Sequence, residues 1–159
     1  MRVIAFDPGF ERLGVAILER TQGKDVLLHS TCIQTAKTLS FHERLHALGE
    51  AVATLMLEWK PDRTALEDVF FANNAKTAMK VAEVRGMLLY LAMQHKLAVY
   101  EYTPLQVKIG VTGYGKSDKK AVAFMVPKLL ALPPKKRLDD ELDAIAVGLT
   151  CLANTRIAY

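Results

Sequence analysis

Acidic residues carry the chemistry legible in this chain. The stretch LDDELDAIAVGL (138–149) places Asp139, Asp140, Glu141 and Asp143 within five positions, immediately before an almost wholly apolar run. Negative charge is favourable at a helix N-terminus, where the first N–H groups lack partners and the macrodipole is positive. Asp140 and Asp143, three apart, share one helix face, whereas Asp139 and Glu141 point elsewhere and can serve the dipole. Two more acids stand out. Asp7 closes the apolar run RVIAF before Pro8-Gly9, a position that a turn alone would explain. Glu67 lies within the apolar run ALEDVFF, where a carboxylate is costly unless paired or metal-bound; Asp68 faces the other way. If Asp7, Glu67, Asp140 and Asp143 converge, they cannot all stay ionised without cations. Hard oxygen donors select Mg²⁺ or Mn²⁺ over zinc. Two such ions about 4 Å apart form a device for in-line phosphodiester cleavage.

A competing motif is HERLH (42–46), which matches the H-E-x-x-H pattern of zinc proteases. Glu43 is better explained as half of a capping box with Ser40. His42 and His46 fall beside the apolar face set by Leu45, Leu48 and Val52, so both are expected in solvent.

The elements that must position these acids follow from periodicity. RVIAF (2–6), LGVAIL (13–18) and VLLHSTCIQ (26–34) read as three closely spaced strands, an antiparallel meander. A helix follows from Ser40 to Pro61, with Phe41, Leu45, Leu48, Val52, Leu55, Met56 and Trp59 at helical spacing. TALEDVFF (64–71) reads as a strand and residues 73–96 as a long helix. The second half of that helix is apolar nearly all round and is expected to be buried on more than one side. AVYEYTP (98–104) reads as a strand, followed by a loop carrying Gly110, Gly113 and Gly115. A helix begins near Ser117, which Pro127 should kink or shorten, and a last helix runs from about Leu138 to Thr155. Three strands and then alternating helices and strands predict an α/β fold, a mixed five-stranded sheet flanked by helices on both faces. In such sheets, sites lie beyond the carboxyl ends of strands, where Asp7 and Glu67 would sit as neighbours.

The chain of 159 residues is expected to form a single domain, with 51% apolar residues and a formal charge of +4. That balance permits a polyanionic partner. No run is long enough to cross a bilayer, and MRVIAFDPG is too short and too quickly acidic for a signal peptide. Cys32 and Cys151 lack metal-type spacing and are expected as buried thiols in a reducing cytoplasm.

AFDPGFERLGVAIL, ALEDVFFANNAKTAMKVAEVRG, YEYTPLQVKIGVTGYGKSDKKAVAFMV and DDELDAIAVGL, in that order over nearly the whole chain, resemble the RuvC family of Holliday junction resolvases. The resemblance implies an RNase H-like nuclease domain, a homodimer, and catalysis by four carboxylates with Mg²⁺ or Mn²⁺, two ions per site. It assigns those carboxylates to Asp7, Glu67, Asp140 and Asp143, and picks Asp140 over Asp139 more firmly than spacing does. It also implies DNA contacts at Lys108 and Lys119, with Lys116 and Lys120 competing for the second role, and base stacking by Phe70 or its neighbour Phe71. The substrate it implies is a four-way DNA junction, and the branch-migration proteins RuvA and RuvB are candidate partners. The homodimer is expected through helix 73–96. Leu13 replaces a threonine frequent in the family, Pro127 interrupts a helix commonly continuous, and the basic tail of some members is lacking. Three alternatives remain: an RNase H-like nuclease with another nucleic-acid substrate, a non-catalytic junction-binding module, and an ATP-binding domain of the actin and sugar-kinase type.

Overall fold

The structure, a computed structural model, describes residues 1–68 and 75–154. Ten elements follow in the order β1 (Arg2–Asp7), β2 (Arg12–Thr21), β3 (Lys24–Gln34), α1 (Phe41–Trp59), β4 (Arg63–Glu67), α2 (Ala75–Gln94), β5 (Ala98–Tyr102), α3 (Pro104–Thr112), α4 (Lys119–Leu129) and α5 (Asp139–Asn154). The sheet order is β3-β2-β1-β4-β5. β1–β2 and β2–β3 pair antiparallel, whereas β1–β4 and β4–β5 pair parallel. The predicted meander, crossovers and mixed five-stranded sheet are therefore all present.

Strand alternation divides the interior into two apolar cores. Ile4, Phe6, Leu13, Val15, Ile17 and Leu66 pack with Leu48, Val52, Leu88 and their neighbours from α1 and α2. Val3, Ala5, Ala16, Leu18 and Ala65 face α3, α4 and α5. α5 is the most deeply buried helix, with Ala144 to Leu152 enclosed throughout. Its small residues let it lie directly on the sheet. A Cβ on Gly148 would stand 2.3 Å from Leu18 Cδ1 and 3.2 Å from Ala5 Cβ.

Several boundaries differ from expectation. The strand expected over 64–71 ends at Glu67, because pairing with β5 stops at Tyr102; Phe70 and Phe71 lie outside the described residues. Residues 104–112, read as part of a strand end and a glycine loop, form α3. Thr103 and Gln106 make a reciprocal capping box, and Pro104 opens the helix. Gly110 is no loop residue: it lets α3 approach α5, since a Cβ there would meet Thr150 Oγ1 at 2.6 Å. Only Gly113 has the conformational role of a terminator, with φ +74°. Asp118 caps α4, which ends two residues beyond Pro127. Cys151 is buried, but Cys32 is only partly so, lying on the edge strand β3. The second half of α2 is not covered all round within one chain: Tyr90 and Met93 remain 67% and 66% exposed. Among the described residues no helix is long and apolar enough to cross a membrane.

Gly14 joins fold to site. It pairs with Asp7, and a Cβ there would fall 1.9 Å from the backbone oxygen of Asp140 and 3.2 Å from Asp7 Cβ. Gly14→Ala is expected to destabilise the protein by at least about 2 kcal/mol in a urea melt, because the obstacle is backbone and cannot rotate away. An unchanged midpoint would show that the start of α5 can lift from the sheet freely.

Candidate active site

The same alternation that sorts the core also aims the acids. Ala5 and Ala65 face α5, so Asp7 and Glu67, two residues further along each strand, face α5 as well. Phe6 pairs with Leu66 in parallel register, which sets the two acids side by side at the carboxyl ends of adjacent strands. Asp68 has left the sheet; its carboxylate lies 3.5 Å from Arg85 on α2, on the opposite face as anticipated. Arg85 also donates to the backbone oxygen of Glu67 at 2.9 Å and pairs with Glu101. It thereby pins the end of β4 and fixes where Glu67 emerges.

α5 supplies the other two acids. Its first turn rests on Gly14, which brings Asp140 over the β1–β2 pair. Asp143 follows one turn later on the same face. Glu141, expected to serve the helix dipole, does more than that. It is buried, accepts a 2.6 Å hydrogen bond from Ser30 Oγ and lies 3.5 Å from Arg137. It therefore ties the start of α5 to β3.

The four carboxylates form one electrostatic unit. Burial pushes Asp7 up to about 8, with further upward contributions from Asp143, Glu67 and Asp140. Glu67 is raised by burial and then by Asp143. Asp143 is raised by burial even though Lys119 Nζ stands 2.6 Å from its Oδ2. Lys119 is itself raised, chiefly by that hydrogen bond. Arg12 Nε lies 3.3 Å from Asp140 Oδ2, yet that buried oxygen receives no hydrogen bond. Two of the acids are thus faced by cations of the chain itself. As placed, no three His, Cys, Asp or Glu side chains among the described residues stand close enough to share an ion. The donor set nonetheless fits a hard divalent cation: all four donors are carboxylates, one oxygen is buried and unbonded, and one acid is driven toward protonation by burial and then by the others.

Lys108 on α3 is partly buried and near enough to lower Glu67's pKa, opposing the burial that raises it. Lys116 and Lys120 are exposed, and of the three lysines near the start of α4 it is Lys119 that reaches the acids. Arg12 and Arg85 were missed by sequence reasoning. The signal for Arg12 was present, as a cation two residues after the Gly9-Phe10 turn. His42 and His46 are exposed on α1, and the Ser40–Glu43 capping box is complete, at 3.3 and 2.7 Å.

The folded-state pKa of Asp7 lies above its ordinary value of 3.8. Its stabilising contribution is therefore whole below about pH 4 and is lost as pH rises through about 8. Asp7→Asn removes that dependence. In metal-free buffer the variant should match wild type near pH 4 and exceed it by more than about 1 kcal/mol at pH 9. Saturating Mg²⁺ should narrow the gap by binding folded wild type. A gap independent of pH would separate Asp7 from the other acids.

The sequence profile described as crossover junction endodeoxyribonuclease RuvC matches residues 3–151. The protein of that name from Thermosipho melanesiensis is 43% identical over 98% of this chain and 99% of its own. The one from Fusobacterium nucleatum is 40% identical over 94% of this chain and 79% of its own. Among solved structures, Thermus thermophilus RuvC in complex with a Holliday junction substrate superposes with a TM-score of 0.92 at 31% identity, covering 98% of this chain and 95% of that one. The yeast mitochondrial Holliday junction resolvase shares the fold, with a TM-score of 0.70 at 12% identity over 95% of this chain and 77% of its own. With the acids, the sheet order and the full-length match in agreement, the chain belongs to the RuvC family of crossover junction endodeoxyribonucleases.

Proposed function

We propose that this protein is a structure-selective endonuclease that resolves four-way DNA junctions by symmetric phosphodiester cleavage. The observation that carries this reading is the grouping of Asp7, Glu67, Asp140 and Asp143 around the carboxyl ends of two parallel strands, in a chain matching the family over residues 3–151. A module that only bound junctions would gain nothing from four carboxylates that repel phosphate. An ATP-binding reading is disfavoured by the family match over residues 3–151.

Asp7, Glu67, Asp140 and Asp143 would hold the divalent ions, Mg²⁺ or Mn²⁺ and two per site. When bound, such ions activate the attacking water and stabilise the leaving oxygen. The chain's own residues do the rest. Lys119, whose ammonium is held against Asp143, remains charged and offers a cation to a phosphate brought against the acids. Lys108 approaches from the Glu67 side, and Lys116 and Lys120 extend positive charge beyond Lys119. Phe70 and Phe71 come three and four residues after the end of β4 in sequence, and one of them stacks on an unpaired base at the junction centre. The cut leaves a 5′-phosphate and a 3′-hydroxyl, ends suited to religation.

A junction must be nicked on two strands, so the active form is a two-fold homodimer. Its interface is the outer face of α2. There Met79, Tyr90 and Met93 are about two-thirds exposed, and Leu57 of α1 extends the patch. RuvA and RuvB are the partners that would deliver the junction. Thiol Cys32, accessible and without a disulfide, supports a cytoplasmic setting.

Two experiments test this reading. With Mg²⁺, wild type should place paired symmetric nicks in a synthetic four-way junction and leave plain duplex and RNA–DNA hybrid intact. Asp7→Asn should lose more than about 10³-fold in cleavage rate while retaining junction affinity; cleavage at the normal rate would remove Asp7 from the chemistry. Preference for the hybrid would instead favour the alternative nuclease. Tyr90→Glu should shift the sedimentation of the protein from dimer to monomer and abolish paired nicking; an unchanged dimer would place the interface elsewhere.

A further inference from the structure

Beside the carboxylate cluster lies a recess lined by Phe10, Glu11, Leu39, Phe41, Arg44 and Lys80. Lys80 Nζ, from α2, stands 4.9 Å from the Phe10 ring centroid and 5.5 Å from that of Phe41. The two rings meet edge to face, 5.9 Å apart, and make a corner for the ammonium. Lys80 is partly buried, and among the described residues no carboxylate lies within ion-pair distance of it. Arg44, from α1, is buried and lies 5.9 Å from the same Phe10 ring. Among the described residues its one ion-pair partner is Glu11 at 3.7 Å, and the Glu11 side chain is 57% exposed. Aromatic faces hold both cations in place without neutralising them, because a ring quadrupole attracts charge but cannot cancel it. A partly desolvated lysine with no ion-pair partner among the described residues gains from an anion brought against it.

Phe10 also lines the next cleft, together with Gly9, Arg12, Thr77, Val81 and Asp140. The recess thus shares Phe10 and Glu11 with a cleft that reaches Asp140, one of the four acids, and that Arg12 also lines. We infer that the Phe10–Phe41–Arg44–Lys80 recess is a binding subsite for a backbone phosphate of the DNA strand that enters the carboxylate cluster. This rests on the nuclease reading above and names a contact within it. Lys80 supplies the point charge, Arg44 the fork, and Glu11 competes with the phosphate for Arg44.

The test is fluorescence anisotropy with a labelled four-way junction, in EDTA, across a salt series. Lys80→Gln should weaken binding about three- to tenfold, the range for one partly buried charge-assisted contact. It should also lower the slope of log K against log salt by about 0.9. Lys80→Arg should restore most of both, and Glu11→Gln should tighten binding. A neutral methylphosphonate placed one linkage at a time should find a position that weakens wild type and leaves Lys80→Gln no weaker than before. Thermal melts of each variant separate lost contact from lost fold. Coincident curves for wild type and Lys80→Gln, in affinity and slope alike, would overturn the subsite while leaving the nuclease reading intact. A wild type that binds junctions no better than duplex would count against the junction-selective reading of the function instead.

Discussion

Burial of mutually repelling carboxylates at one sheet edge is the constraint on which this structure turns. Bringing Asp7, Glu67, Asp140 and Asp143 to one sheet edge opposes folding, most of all at Asp7, where burial and three acidic neighbours act in the same direction. The cluster is tolerable because cations are close by. Lys119 faces Asp143 and Arg12 faces Asp140, so the chain carries part of the counter-charge that divalent ions would complete. Both cations reach in from the surface, their side chains being 64% and 53% exposed, and can turn toward an incoming phosphate.

Much of the fold serves to impose that proximity. Parallel pairing of β1 with β4 makes Asp7 and Glu67 neighbours, and Arg85 fixes the point where β4 ends. α5 is held by its buried run against the sheet and by Glu141 against β3. The absent side chain at Gly14 lets its first turn descend onto β1 and β2. Stability and chemistry therefore meet in the same helix. Its apolar body is the middle of one core, and its first two turns carry Asp140 and Asp143.

Sequence alone pointed to three of the acids because they strain a local rule: Glu67 falls in an apolar run, and Asp140 and Asp143 exceed what a helix N-terminus needs, whereas Asp7, which a turn alone would explain, drew notice only beside them. Strand order and layer structure were legible because alternation and helical spacing are strong over β1, β2 and α1. What was not legible depends on tertiary contact. α3 hid behind its glycines, since Gly110 is a packing residue against Thr150 and not a chain breaker. The buried role of Glu141 depends on Ser30, 111 positions away. Arg12 and Lys80 look like ordinary surface charges until the fold sets one beside Asp140 and the other in an aromatic corner. The exposed outer face of α2 shows the converse. Its apolar residues were legible, but a single chain does not bury them.

The most direct test of the coupled cluster is the titration of the Asp7 carboxyl carbon by ¹³C NMR, first in metal-free protein and then with saturating Mg²⁺. An apparent pKa of about 8 is expected without metal, falling by several units when the ion binds. An ordinary titration near about 4, unmoved by Mg²⁺, would contradict that coupling.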